Sequence, residues 1–175
     1  MNIVTKVFEK IEKMFLIISV FTLFIMMLWI FLDVMLRYFF HSPIPGTMEL
    51  TGEYFMVLII FLSLSYTYKE NGHVRVDMLE RRFPETIKLI SNICTNLVVI
   101  ALFALIFVAN FDAGLEYFAK DVRSIGALEY PLAPALIITS IGILTITIRL
   151  ILTTIQMTLT IIKKVKLKKR SFNEV

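Results

Sequence analysis

Four long apolar segments, separated by short polar stretches, dominate the chain. Uncharged residues fill 14–32, 54–68 and 89–111, and a fourth segment from about 131 to 162 carries one charge, Arg149. A helix rising about 1.5 Å per residue needs roughly 20 residues to cross hydrocarbon about 30 Å thick. The pattern predicts an all-α integral membrane protein, one domain over 1–175, with four transmembrane helices at about 14–40, 48–69, 87–111 and 131–162.

The second span is the shortest of the four. It reaches full length only if Glu49 and Glu53 lie in its first turns. Thr47 is the expected N-cap, because it follows a turn containing Pro43, Pro45 and Gly46.

The first 13 residues alternate apolar and basic positions at helical spacing. This pattern predicts an N-terminal helix in the membrane interface. A cleaved signal peptide is disfavoured, because the apolar stretch that follows is longer than the roughly 7 to 15 residues of a signal sequence and no small-x-small cleavage site follows it.

Lysine and arginine are distributed unevenly between the two sides of the predicted helices. Three lie before the first span, five between the second and third, and six after the fourth: fourteen on one side against Lys120 and Arg123 on the other. Because short loops rich in these residues stay in the cytoplasm, both termini are expected there. The basic tail, residues 163–175, is expected to contact anionic phospholipid headgroups rather than nucleic acid.

Composition supports a membrane protein and narrows the chemistry. Hydrophobic residues make up 58% of the 175, well above the roughly 45–50% of soluble domains. Cys94 is the single cysteine in the chain, which excludes an intramolecular disulfide, a cysteine metal site and a disulfide-generating oxidoreductase.

Charged residues at the span ends need partners, because a charge in hydrocarbon is unfavourable. Asp33 and Arg37 are four residues apart, in the order that favours an ion pair on one helix. Glu49 and Glu53 have the same spacing with like charges. We hypothesise that Arg37 is shared by Asp33 and at least one of these glutamates. Solvated helix-end carboxylates, docking onto another helix and a transported-ion site remain alternatives.

The fourth segment carries a polar stripe along one helical face. Such a face favours contact with protein over lipid, because small and hydroxylated residues let helices approach and hydrogen-bond. Its members lie within about a third of the helix circumference: Thr139, Gly142, Thr145, Arg149, Thr153, Gln156 and Thr160. Arg149 is expected near the inner membrane boundary, where snorkelling alone would also explain it. Asn92 and Asn96 form a second polar stripe on the third span.

A polar run, residues 69–80, follows the second span directly. Asn71 and Gly72 suit a helix C-cap, and the alternating apolar and charged residues after them predict a short interfacial segment on the cytoplasmic side. His73, Asp77 and Glu80 offer one imidazole, no thiol and nearby cations, so no metal site is expected. We instead interpret His73, Arg75 and Asp77 as residues that contact a partner protein.

These features together resemble the DctQ-type small membrane subunit of tripartite ATP-independent periplasmic (TRAP) transporters. The resemblance covers nearly the whole chain, and its most specific part is the string from Gly72 to Asp77. The other matching features are Asp33 with Arg37, Glu49 with Glu53, and the Gly126 to Pro134 entry to the fourth span.

The resemblance implies a scaffold subunit in the bacterial inner membrane that is not an enzyme. Its partners would be a large multi-span membrane subunit (DctM-type) and a periplasmic substrate-binding protein (DctP-type). Uptake of an organic acid, such as a C4-dicarboxylate, a keto acid or sialic acid, would be driven by sodium. The ion sites would lie in the large subunit, so no cofactor, metal site or catalytic residue is expected in this chain. An autonomous small ion-coupled transporter and a four-helix membrane enzyme remain alternatives.

Overall fold

Helices make up nearly all of the chain that the structure, a computed structural model, describes. It covers the backbone of residues 3–70 and 85–173 and the side chains of residues 5–70, 87 and 90–160. The elements are α1 (Ile3–Phe40), α2 (Thr47–Leu50), a π-helical segment (Thr51–Phe55), α3 (Met56–Lys69), α4 (Glu85–Ala119) and α5 (Ala133–Asn173). Helix α2, the π-helical segment and α3 follow one another without a break and form one rod.

Four stretches of helix in the described residues are long and apolar enough to cross a membrane. They are Thr5–Phe40, Thr47–Lys69, Ile90–Ala119 and Ala133–Thr160, which confirms the predicted all-α membrane fold with four spanning helices. The expected N-terminal interfacial segment is helical, but it continues into the first span without a break. The third helix extends eight residues beyond the predicted 111, and the fourth continues through the basic tail to Asn173.

The connection between α1 and α2 is a tight turn whose backbone demands particular residues. His41 adopts a left-handed conformation (φ 54°), and prolines at 43 and 45 prevent the helix from continuing. The N-cap of α2 is Gly46 (φ 77°), so the prediction of Thr47 as the N-cap is wrong. A Cβ at Gly46 would lie 2.8 Å from the Leu128 side chain, which makes glycine necessary for both conformation and space. Thr47 instead donates its hydroxyl proton to the carbonyl of Ile44, 3.0 Å away.

The spanning helices form a layer in the order α1, α3, α5, α4. Helix α3 packs against α1 on one side and α5 on the other, and α4 packs against the far side of α5. Helix α5 is the most buried of the described spans: 56% of its most apolar stretch is buried, against 11%, 11% and 6% for the other spans. Ile143, Ile146 and Leu150 of α5 are the most buried large apolar residues.

Spanning helices that are consecutive in the chain run in opposite directions, so the neighbours α3 and α5 are parallel and the layer has two distinct ends. The short-loop end carries the connections 41–46 and 120–132, and the terminal end carries the start of α1 and the end of α5. At the short-loop end, Arg123 and Pro131 form an isolated antiparallel bridge that closes the 120–132 connection. This geometry brings charged residues from distant parts of the chain together at each end.

Candidate partner interface and intramembrane charge network

Asp33 and Arg37 form the predicted ion pair near the end of α1. Arg37 Nη2 lies 2.9 Å from Asp33 Oδ2, and the other carboxylate oxygen accepts the backbone N–H of Ile44 at 2.8 Å. Asp33 is buried, whereas 57% of the Arg37 side chain is exposed. Asp33 therefore fixes the turn into α2, and Arg37 presents its guanidinium at the surface of the layer.

The two glutamates of the second span have other surroundings than the sequence suggested. Glu53 Oε2 accepts the phenolic proton of Tyr130, 2.7 Å away, across the short-loop end. Arg37 makes its ion pair with Asp33 and none with Glu49 or Glu53, so the hypothesis of a shared arginine is wrong. Its physical reason is direction: the glutamates point toward the 120–132 connection, and Arg37 lies on the opposite side of the rod.

Glu49 is held against the 120–132 connection without a hydrogen bond to one of its oxygens. Its Oε2 atom is buried and has no partner among the described residues. A Cβ at Gly126 would overlap this carboxylate, so only glycine permits the contact. Glu49, Glu53, Ser124, Ile125, Gly126 and Leu132 line a cavity of about 390 Å³ at this end.

Arg149 takes part in a buried charge cluster with Glu12, which is not among the predicted site residues. Arg149 Nε donates to Glu12 Oε1 at 2.7 Å, and Nη2 donates to Oε2. Ser65 of α3 donates its hydroxyl proton to Glu12 Oε1. The Phe8 ring lies 5.4 Å from the guanidinium carbon. Arg149 is thus part of an intramembrane charge network, and snorkelling is not needed to explain it.

The cluster depends on the uninterrupted α1. Because the N-terminal turns continue the helix, Glu12 is carried onto α3 and α5 and is only 1% exposed. The sequence did contain a signal: Glu12 is one turn or less from Lys10 and Lys13, on the apolar rather than the basic face. A glutamate on an apolar face opposite a lone arginine in another span is a pairing candidate.

The predicted polar stripe of α5 is buried only in its first half. Thr139, Gly142, Thr145 and Arg149 are buried, Thr153 is half-buried, and Gln156 and Thr160 are exposed. The four threonine hydroxyls donate to carbonyls four residues earlier in α5 rather than to another helix. The stripe's closest helix contact comes from Gly142: a Cβ there would lie 2.5 Å from the carbonyl oxygen of Phe61.

Polar contacts between helices come from other residues. Asn96 of α4 is buried, accepts from the Tyr68 hydroxyl and donates to the Thr154 hydroxyl, both at 3.3 Å. Ser19 of α1 donates to the carbonyl of Ile59 in α3 at 2.8 Å. Asn96 therefore makes a helix contact, joining α4 to both α3 and α5.

His73, Arg75 and Asp77 lie outside the described residues, so their proposed role in partner contact stays a prediction. Within the part of the chain that is described, no three histidine, cysteine, aspartate or glutamate side chains come close enough to hold a metal ion.

The described charges have one chemical effect in common. Three contacts of charged side chains each fasten two parts of this chain together: Glu12 with Arg149, Asp33 with the 41–46 turn, and Glu53 with Tyr130. Large apolar side chains on α1, α3, α4 and α5 meanwhile remain exposed. Within lipid, such surfaces are available to hydrocarbon or to another membrane protein.

Comparison with known proteins places the chain in a family. Residues 26–160 match the family described as "Tripartite ATP-independent periplasmic transporters, DctQ component". Two curated proteins of Haemophilus influenzae named TRAP transporter small permease are similar to it. One is 28% identical over 131 residues, covering 66% of this chain and 81% of the relative. The other is 32% identical over 104 residues, covering 59% of this chain and 61% of the relative.

No solved structure matches the chain significantly. The family match spans 135 of the 175 residues and includes Asp33, Arg37, Glu49, Glu53 and Arg149. This chain belongs to the DctQ family, the small permease subunits of TRAP transporters.

Proposed function

We propose that this chain is the scaffold subunit of a sodium-driven importer of organic acids. A large multi-span membrane subunit and a periplasmic substrate-binding protein complete the transporter. The family is one of multi-pass proteins of the bacterial inner membrane, and its description as tripartite supports both partners. The substrate class, a C4-dicarboxylate, keto acid or sialic acid, is chosen by those partners.

The low burial of three of the four described spans is the observation that carries this proposal. Helices α1 and α4 lie at the edges of the layer, and α5 alone has more than half of its most apolar stretch buried, against 6–11% for the other described spans. A substrate path needs an interior shielded from lipid, because polar groups in hydrocarbon are unfavourable. Three spans with so few buried residues supply a surface rather than a shielded path, which favours a scaffold.

The orientation proposed for the scaffold places the terminal end in the cytoplasm. The Lys and Arg distribution supports it, since fourteen of these residues fall on that side against two on the other. The short-loop end, with Glu49, Glu53 and Tyr130, then faces the binding protein. The basic tail contacts anionic phospholipids of the inner leaflet.

Reconstitution in liposomes tests the proposal. Uptake of radiolabelled organic acids under an inward sodium gradient is measured for this chain alone, for the chain with its large subunit, and for both with the binding protein. Uptake is expected only in the complete system and is expected to stop when an ionophore dissipates the sodium gradient.

Three results would contradict parts of the proposal. Uptake by this chain alone would establish an autonomous transporter. Full uptake by the large subunit and binding protein without this chain would remove its scaffold role. Uptake that persists without sodium would remove the coupling ion.

A further inference from the structure

Gly52 is a glycine that the chain's own packing does not require. Gly46, Gly114, Gly126 and Gly142 each have a neighbouring group within 3.4 Å of the position a Cβ would take. At Gly52, nothing in the described part of the chain comes within 4 Å. Glycine inside a helix is destabilising relative to alanine, so a helical glycine without an internal contact points to a close approach from outside.

The residues around Gly52 favour contact with another protein over contact with lipid. Met48, 81% exposed, and Met56, 49% exposed, flank it on the same rod. Methionine side chains adapt their shape to a partner surface. Gly52 also lies in the π-helical segment, a conformation that occurs mostly as single turns inside α-helices and frequently at functional sites.

Helix α1 forms the opposite wall of a groove that contains Gly52. The groove has a volume of about 350 Å³ and includes Ile30, Val34 and Arg37 of α1. Arg37 uses Nη2 for Asp33, and its remaining N–H groups have no partner among the described residues. The groove, which Asp33, Thr47 and Thr51 also line, therefore combines a mostly apolar wall, an exposed helix backbone and one oriented cation.

We propose that this groove, the Gly52 groove (Met48, Gly52 and Met56 facing Ile30, Val34 and Arg37), seats a transmembrane helix of the large membrane subunit. An acidic side chain or the C-terminal carbonyls of that helix bind Arg37. The proposal rests on the proposed function, which supplies the large subunit. It also assigns the partner face to the outer surface of α2 and α1, rather than to the buried Thr139 to Arg149 stripe.

Two other occupants fit the groove less well. An acyl chain gains little from a glycine, since lipid tails adapt to any apolar surface. A second copy of this chain, related by a two-fold axis through the groove, would bring its own Arg37 toward the first, and like charges repel. A partner helix with negative charge satisfies both the glycine and the cation.

Photo-crosslinking in membranes tests the location. A benzoylphenylalanine is placed at Met48 or Met56, with matched positions on α4, Val98 and Leu105, which are 69% and 71% exposed. Cross-links to the co-expressed large subunit are expected from 48 and 56 and not from 98 and 105. Cross-links only to lipid or to a second copy, or equal cross-linking from the α4 positions, would overturn the proposal.

Small-to-large substitutions test the close approach. Gly52→Leu is expected to weaken co-purification of the large subunit about tenfold, since overpacked contacts are strongly disfavoured. The thermal unfolding midpoint of the isolated chain should not fall. Ala104→Leu, at another exposed small residue, is the matched control and should leave co-purification unchanged. If Gly52→Leu lowers the midpoint, Gly52→Ala replaces it, with a smaller but measurable loss expected.

The outcomes separate the two proposals. If the wild-type chain co-purifies with the large subunit and the Gly52 variants do so equally well, the groove assignment is wrong and the proposed function stands. If the wild-type chain fails to co-purify, the proposed function fails, and the groove assignment fails with it. Arg37→Gln is expected to weaken binding less than Gly52→Leu, because it removes the charge and keeps the fit.

Discussion

Glu12 of α1 and Arg149 of α5, which are 137 positions apart in sequence, form a buried ion pair. The Glu12 side chain is fully buried and that of Arg149 is 9% exposed. Two charges away from water are stable only when they are paired and hydrogen-bonded. The Glu12 carboxylate accepts two hydrogen bonds from the Arg149 guanidinium and one from the Ser65 hydroxyl. The pair therefore fastens the edge helix α1 to α5, and Ser65 joins α3 to the same cluster.

Breaking this pair from one side is expected to destabilise the chain strongly. Glu12→Gln leaves the Arg149 cation buried without its counterion, and such changes lower the free energy of unfolding by about 3–5 kcal/mol. The thermal unfolding midpoint of the purified chain in detergent reports the change. The double variant Glu12→Gln with Arg149→Met is expected to recover most of the loss, because it removes both charges.

A surface ion pair on the same chain supplies the control. Glu116 and Lys120 pair at 2.5 Å but are both exposed, so Glu116→Gln is expected to leave the midpoint unchanged. Equal destabilisation by Glu12→Gln and Glu116→Gln, or no recovery in the double variant, would contradict the assignment of Glu12 and Arg149 as a coupled pair.

Two glycines of the spanning helices are expected to respond oppositely to alanine. A Cβ at Gly142 would lie 2.8 Å from the carbonyl carbon of Phe61, so Gly142→Ala forces α3 and α5 apart and should lower stability by about 1–3 kcal/mol. Gly52 has open space, so Gly52→Ala should raise the stability of the isolated chain by about 0.5–1 kcal/mol through helix propensity. Thermal unfolding midpoints of the two variants, measured side by side, test this. A change of the same sign in both variants would contradict the packing described for Gly142 and Gly52.

The helices were predictable because hydrocarbon thickness imposes their length. Uncharged runs of about 20 residues have few alternatives to a spanning helix. The i, i+4 pair of Asp33 and Arg37 was also predictable, because both partners lie on one helix. The order of the helices within the layer was not, since lipid and protein both accept apolar faces and the pattern does not distinguish them.

Contacts between distant residues account for what the sequence left open. Glu12 was not among the predicted site residues, because only the fold shows that Arg149 lies opposite it. At least one of Glu49 and Glu53 was expected to share Arg37 because all three lie near the same membrane boundary, but Glu53 instead accepts a hydrogen bond from Tyr130 of the 120–132 connection. Proximity to a boundary fixes depth along the membrane normal and leaves direction around the helix undetermined.

Replacing Glu49 with glutamine is expected to stabilise the folded chain. Its buried Oε2 has no hydrogen-bond partner in the described chain, and a buried unpaired charge is more unfavourable than a neutral amide of the same size. Glu49→Gln should therefore raise the thermal unfolding midpoint.

Gly126 tests the same contact from its other side. Gly126→Ala should lower the midpoint, because its Cβ overlaps the Glu49 carboxylate. Adding Glu49→Ala to Gly126→Ala should restore much of the loss, since the overlapping group is gone. Strictly additive effects of the two changes would show that the residues do not interact.

Tyr130 is expected to make the stability of the short-loop end depend on alkaline pH. Burial raises the pKa of Tyr130 above its ordinary value of 10.0; the Ser124 hydrogen bond lowers it, and the hydrogen bond to Glu53 and the nearby Glu49 charge raise it. The folded state therefore holds the phenolic proton to higher pH than the unfolded state. The stability from this group is fully present below the unfolded pKa of 10.0. It is lost as pH rises through the folded value.

The thermal unfolding midpoint followed from about pH 8 to about pH 11 measures this effect. The wild-type midpoint should fall above the ordinary tyrosine pKa, and Tyr130→Phe should fall less steeply because it has no proton to lose. Glu53→Gln should reduce the steepness only in part, since burial, the largest cause of the raised pKa, remains. Identical pH profiles for the wild type and Tyr130→Phe would show that the Tyr130 proton does not contribute to holding the 120–132 connection against the second span.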